Sequence, residues 1–271
     1  MLELGKKSSY DSHYNPEKLF PISRTSQREA LGITDKLPFY GIDIWNHYEV
    51  SWLNEKGKPM VALAEIIYGC DTPNIIESKS MKLYFNSFNN TPFKDLATVK
   101  ATIKKDLEER LATSSVTVNI SPIHTMQEAK LVPKLPGECI DALDISCSTY
   151  TTHPAFLVTE NIIVEEILCS DLLKSNCLVT NQPDWCSVQI AYKGKKIQRE
   201  GLLRYLVSFR NDNDFHEHCI EKIFMHVLEK CQPEKLTVYG RSTRRGGLDI
   251  NSYRSTQKLE KSITNERLCR Q

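Results

Sequence analysis

Residues 39 to 69 read FYGIDIWNHYEVSWLNEKGKPMVALAEIIYG, and this stretch decides the fold class. Aromatic and branched residues dominate both of its apolar runs and alternate with polar ones over part of their length. The polar NEKGKP between them is a turn signal, so the stretch predicts a β-hairpin with a loop of several residues around Gly57. Past the hairpin the period shifts from two toward 3.6. SMKLYFNSF places Met81, Leu83, Tyr84, Phe85 and Phe88 at the spacing of a short helix. Thr91-Pro92 then predicts a second helix start, with proline at the first helical position. Leu96, Val99, Ile103, Leu107 and Leu111 would run down one face of that helix. SSVTVNISPI, from Ser114, is a strand by composition. The order is β-β-α-α-β.

The second half repeats that order. FLVTENIIVEEIL and WCSVQIAYKG read as strands, REGLLRYLVSF and the segment from Phe215 to Cys231 as helices, and KLTVYGRST as a closing strand. The reading is an α+β chain built from a duplicated unit. Residues 1–38, broken by Pro16, Pro21 and Pro38, form an irregular lead-in. Residues 39–135 form the first half and residues 136–271 the second.

Charge narrows the function classes. With 35 basic residues against 34 acidic ones the formal charge is +1. A protein that grips a phosphate backbone carries a basic excess, so a direct nucleic-acid partner is not expected. The opening MLELGKKSSYDSHYNPEK has no apolar run of the kind an export signal needs. No stretch approaches the ~18 apolar residues of a membrane span. The nine cysteines show no C-x2-C pairs, which suits reduced thiols in a cytoplasmic protein and predicts no metal site.

Four stretches hold residues with chemical potential. In ESKSMKLYFNSF, Glu77 and Lys79 fall at the head of a helix, where an acid complements the dipole and the lysine could meet an anion. In SNCLVTNQPDW, Cys177 and Asp184 sit in a polar loop between two strands. Pro183 rules out one continuous helix across them, so a bent loop would have to bring them together. In NDNDFHEHCIEKIF, His216 and Glu217 open the long helix behind Asn and Asp cap candidates. His216 and His218, two apart, diverge on a helix and make no metal pair. In YGRSTRRGGLDINSYR, Arg241, Arg244 and Arg245 with Gly246 and Gly247 suit phosphate oxygens and close backbone approach. No G-x-G-x-x-G is present, so a dinucleotide would not be held in the Rossmann manner.

Taken together, ESKSMKLYFNSFN, SNCLVTNQPDW, FHEHC and RSTRRGGLDINSYR occur in the order found in the 7-cyano-7-deazaguanine reductases of the queuosine pathway, and the chain resembles the long, two-half form of that family from about Tyr40 to Arg254. The resemblance implies tandem tunnelling-fold (T-fold) halves, antiparallel sheets each with an inserted helix pair, working as a homodimer in the biosynthesis of a modified tRNA base. It implies NADPH-dependent reduction of the nitrile of 7-cyano-7-deazaguanine to the aminomethyl compound through a cysteine thioimide. Cys177 would be the nucleophile, Asp184 the proton donor, and His216 a group that orients the nitrile and shuttles protons. Ile76, Glu77, Ser78, His216 and Glu217 would line the substrate site, and Ser78, Lys79, Arg245 and Gly246 would contact NADPH. The alternatives are a metal-dependent T-fold cyclohydrolase acting on a purine- or pterin-like ring, a non-catalytic deazaguanine-binding module, and a cysteine hydrolase that converts nitrile to acid.

Overall fold

The computed structural model describes residue 11 and residues 13–125, 131–260 and 263–271. The first ten residues of the expected lead-in therefore lie outside the described residues. The rest of the lead-in is more ordered than its prolines suggest. It carries a short strand, β1 (Pro21–Ser23), and a short helix, α1 (Thr25–Ala30).

The predicted hairpin is present as β2 (Tyr40–Leu53) and β3 (Pro59–Gly69). A one-residue shift in their register between His47 and Val50 makes a bulge. Then come β4 (Asn74–Ile76), which pairs with β1, and the helices α2 (Ser78–Asn86) and α3 (Leu96–Leu111). Helix α3 does not begin at Thr91-Pro92. Asp95 caps it, accepting from the Thr98 amide at 2.7 Å, because a carboxylate satisfies an orphan N–H that proline only removes. Val99, Ile103, Leu107 and Leu111 are its buried stripe. Strand β5 (Thr117–Pro122) closes the unit against β3.

Two-residue strands β6 (Leu131–Val132) and β7 (Glu138–Cys139) lead to the long hairpin β8 (Thr159–Cys177) and β9 (Pro183–Ile197). Helix α4 (Arg199–Ser208), a two-residue strand β10 (Asn213–Asp214) and helix α5 (His216–Cys231) follow. The cap residue of α5 is Phe215 and gives no side-chain bond, so the Asn and Asp residues before it do not cap the helix as expected. A final hairpin joins β11 (Lys235–Ser242) to β12 (Leu248–Ser255). The basic RSTRRGGLDINSYR is thus the end of one strand, a tight turn and a second strand. Near the C-terminus β13 (Arg267–Leu268) pairs with β6.

One sheet unites both parts of the chain, in the order β10-β8-β9-β11-β12-β2-β3-β5. The junction is β12 against β2, antiparallel from Leu248 opposite His47 to Ser255 opposite Tyr40. The strands approach so closely there that a Cβ on Gly41 would strike the carbonyl oxygen of Tyr253. Two apolar clusters fill the space between sheet and helices. Trp45, Ile66, Tyr84, Phe85, Ile103 and Leu107 belong to one. Val188, Ile190, Leu206, Ile223, Phe224 and Val238 belong to the other.

Between the clusters lies a buried group of charges. Arg254 of β12 meets Asp43 of β2 at 2.9 Å and Glu221 of α5 at 2.8 Å. Arg24 reaches the same two carboxylates, at 2.6 Å from Asp43 and 3.3 Å from Glu221, and Arg28 meets Glu221 at 2.7 Å. Burial would push the Asp43 carboxyl up, but Arg254 and Arg24 outweigh it and bring it down to about 2. Arg254, Arg28 and Arg24 hold Glu221 at about 2 against the same penalty. Breaking a buried pair costs ~3–5 kcal/mol, since the surviving partner stays buried and uncompensated. Glu221→Gln should therefore destabilise the chain by an amount in that range, read by chemical denaturation. Both carboxyls are depressed in the folded state, so their contribution is complete above about pH 4.5, the ordinary glutamate value, and lost as pH falls toward about 2. An acid titration of unfolding should fall less steeply in that window for E221Q, and an equal slope would show that the cluster does not set acid stability.

Candidate active site

Cys177 is the last residue of β8, and Asp184 is the second of β9. The expected bent loop is in fact a β-hairpin with only residues 178–182 at its tip. Ser175 lies opposite Asp184 and Asn176 opposite Pro183. Cys177 shares a strand face with Ser175, so thiol and carboxyl are diagonal neighbours on one face. The tip folds back: the Asn181 amide donates to the Cys177 carbonyl at 2.9 Å, and the Cys177 amide donates to the Gln182 carbonyl at 2.8 Å.

Helix α2 delivers the next residues. Glu77 is its cap, held by its own amide to the Phe20 carbonyl at 3.0 Å and by the Ser80 amide, which donates to Oε2 at 2.7 Å. Its other oxygen, Oε1, is buried without a hydrogen-bond partner. Ile76, buried just before it, ends β4. Lys79 projects from the first turn to place Nζ 3.1 Å from the Cys177 sulfur and 3.9 Å from Glu77 Oε1. Burial alone would raise the Cys177 thiol. The Lys79 ammonium, the Thr180 hydroxyl and the amides of Thr180 and Val179 reverse that, and the net shift is downward.

Helix α5 contributes His216 and Glu217 from its first turn. His216 Nδ1 lies 3.0 Å from the Ser242 hydroxyl, and Nε2 points toward Asp184 at 3.8 Å. Burial, reinforced by Arg245 and Lys79 and opposed by Asp184, lowers its pKa, so the ring is neutral near pH 7. Glu217 is buried, and its Oε1 has no hydrogen-bond partner. Burial, and then the charge of Asp43 in the central cluster, raises this carboxyl to about 8.

The β11–β12 turn closes the arrangement. Arg245 donates to Asp184 and to the Gln182 side chain. Gly246 and Gly247 follow it with φ of 59° and 84°, a left-handed geometry that glycine adopts without penalty. The bulge in β2 buttresses the turn: the Tyr48 amide donates to the Gly247 carbonyl at 2.9 Å, and His47 Nδ1 lies 3.1 Å from the same oxygen.

A cavity of about 310 Å³ opens here, walled by Ser78, Lys79, Lys82, His216, Arg245 and Gly246 among others. Cys177, Asp184, Ile76, Glu77 and Glu217 do not line it; Lys79 of the wall meets Cys177 and Glu77, and His216 of the wall faces Asp184. Lys82, Gln182, Thr243, Leu248, Asp249 and Ile250 complete the walls and were not anticipated from the sequence. Lys82 was legible in principle, one helical turn from Ser78 on the same face. Gln182 and Asp249 gave no signal, because their place depends on hairpin register. The cationic walls, with Lys82 in no ion pair among the described residues and a glycine turn beside it, suit the phosphates of a dinucleotide. Among the described residues, no group of three His, Cys, Asp or Glu is placed to hold a metal ion.

The chain matches two family models. "Nitrile reductase, 7-cyano-7-deazaguanine-reductase N-term" covers residues 10–120, and "QueF-like protein" covers residues 183–261. An NADPH-dependent 7-cyano-7-deazaguanine reductase of Legionella pneumophila (strain Lens) is 58% identical over 270 residues, covering 99% of this chain and 94% of its own length. Its counterpart in Polaromonas naphthalenivorans (strain CJ2) is 52% identical over 260 residues, 94% of this chain and 92% of the relative. A crystal structure of an archaeosine synthase QueF-Like in the apo form overlaps 37% of this chain and 98% of its own at 16% identity and a TM-score of 0.32, too slight a likeness to bear on the fold. Identity of that order, sustained along nearly the whole length of chain and relative alike, makes this chain a member of the NADPH-dependent 7-cyano-7-deazaguanine reductase family.

Proposed function

We propose that the chain reduces the nitrile of 7-cyano-7-deazaguanine to the primary amine, in the cytoplasmic supply of a modified tRNA base, with Cys177 as covalent nucleophile. The observation that carries this reading is that two buried carboxylate oxygens, Glu77 Oε1 and Glu217 Oε1, have no hydrogen-bond partner, while Lys79, next but one to Glu77, meets the Cys177 sulfur. An unpaired buried acceptor is costly. The adjacent N–H donors of a guanine-like edge would satisfy two such oxygens at once, with Ile76 and Ser78 shaping the floor.

In the reaction, the Cys177 thiolate attacks the nitrile carbon and a C–S bond forms. The π-electron pair moves to nitrogen, which takes a proton from Asp184, giving the thioimide. NADPH, held by Ser78, Lys79, Arg245 and Gly246, supplies a hydride in each of two rounds when bound. After the first round Cys177 leaves as thiolate and an imine remains. Neutral His216 keeps one ring nitrogen on Ser242 and turns the other toward Asp184, which suits it to orient the nitrile and relay protons. Arg245 occupies one oxygen of Asp184 in the free chain, so a move of that guanidinium toward a phosphate would open the carboxyl to the substrate.

We further read residues 39–135 and 136–271 as two T-fold halves. Each has a long antiparallel hairpin followed by two helices and a return strand. The homodimer expected of this form has a fitting surface: Ile162, Ile163 and Ile167 are 55%, 67% and 43% exposed on the part of β8 that pairs only with β9. An apolar open edge of this kind is normally covered. Ile163→Lys should shift the chain toward monomer in light scattering, and an unchanged mass would move the interface elsewhere.

Mixing protein, NADPH and the nitrile should give nitrile-dependent oxidation of the cofactor and an amine product. Cys177→Ala should abolish both turnover and a nitrile-dependent mass adduct; persistence of the adduct would place the nucleophile on another residue. The pH dependence of binding follows from Glu217. Its carboxyl, held at about 8 in the free chain, must lose its proton to accept N–H donors. Nitrile affinity should therefore weaken as pH falls below about 8, by up to ~10-fold per pH unit. Calorimetric titration of Glu217→Gln should show weaker binding without that slope.

A further inference from the structure

The resemblance assigns Lys79 to the cofactor, but in the structure its ammonium sits on the sulfur of Cys177, 3.1 Å away. We propose that Lys79 is itself a catalytic residue, whose ammonium holds Cys177 as a thiolate before either ligand arrives. The inference rests on the reading of Cys177 as nucleophile and adds the group that prepares it.

Geometry carries the argument. Cys177 is 6% exposed, so water solvates a thiolate there poorly, and an unpaired thiolate would revert to thiol. A lysine in the first turn of α2 is the nearest cation, and the helix fixes its position: Glu77 caps the helix, and that cap is tied to the Phe20 carbonyl. The other charged groups around the sulfur are engaged elsewhere. Arg245, from the β11–β12 turn, is on Asp184 of β9. Asp214 of β10, the register partner of Cys177, is bound by Lys222 and His218 of α5. His216 of α5 is neutral and directed at Ser242 and Asp184. Glu77 Oε1 lies 3.9 Å from the Lys79 nitrogen. Lys79 is thus the one cation among these groups in contact with the sulfur. When the C–S bond forms the sulfur becomes neutral, and the ammonium loses its anionic partner just as the cofactor's phosphates would need one.

The test reads the thiolate directly, without nitrile, NADPH or turnover. Cys177 is alkylated with iodoacetamide across a pH series and its labelling is followed by peptide mass. The thiolate displaces iodide, so the rate tracks the thiolate fraction. The unmodified chain should label with a midpoint below the ~8.5 of an ordinary cysteine. Lys79→Met should raise that midpoint by at least one pH unit and slow labelling near pH 7 by about tenfold. Lys79→Arg should restore most of the shift, and Lys82→Met, whose parent residue does not touch the sulfur, should leave the midpoint in place. An unchanged midpoint in folded K79M overturns the proposal. So does an ordinary midpoint in the unmodified chain, which can be read even if K79M fails to fold. Failure of the nucleophile assignment looks different: Cys177 would label early while C177A still formed the nitrile adduct.

Discussion

Arg254 crosses from β12 to Asp43 and Glu221 in a space closed to water, and the relation between the parts of this chain is fixed there. The cluster joins a strand of the first half, a strand and a helix of the second, and through Arg24 and Arg28 the lead-in. Three guanidiniums face two carboxylates, so one positive charge is left over in the interior. Hydrophobic clusters on either side could tolerate small rearrangements of their side chains. Buried charges cannot, because any partner lost leaves another exposed to a medium of low polarizability.

That cluster also reaches Glu217, a candidate for the substrate site. Glu217 stands one helical turn before Glu221 on α5, close enough for the Asp43 charge to help keep it protonated. One carboxylate of the helix is held ionised by arginines, while burial raises its neighbour, whose Oε1 is unpaired. The same separation of roles appears around Cys177, where Lys79, the Thr180 hydroxyl and two backbone amides together outweigh the burial of the sulfur. The site thus draws its chemistry from unequal surroundings imposed on ordinary residues.

Much of this was legible in the sequence, and the omissions have physical causes. The hairpin of β2 and β3 and the helices α2, α3, α4 and α5 follow from periodicity, which records the face each element buries. The lead-in was misjudged because Arg24 and Arg28 look like surface residues until their shared partner Glu221, 197 and 193 positions away, is known. The start of α3 was misplaced because proline and aspartate both mark helix starts, and only tertiary packing chooses between them. RSTRRGGLDINSYR advertised its charges and concealed strand β12. Short motifs single out the candidate chemical residues, yet they could not show the contact between Lys79 and Cys177, since it depends on where α2 ends up relative to the β8–β9 tip.

The shared sheet has a mechanical consequence. Enzymes of two parts often admit ligands by hinging one part against the other. Here the β12–β2 ladder carries eight consecutive pairs of residues across the boundary, with charges locked beside it. Bending at that line would break backbone bonds and expose the charges together. Entry and release must therefore be handled by small parts: a lysine changing partners, an arginine swinging off a carboxylate, a five-residue tip flexing.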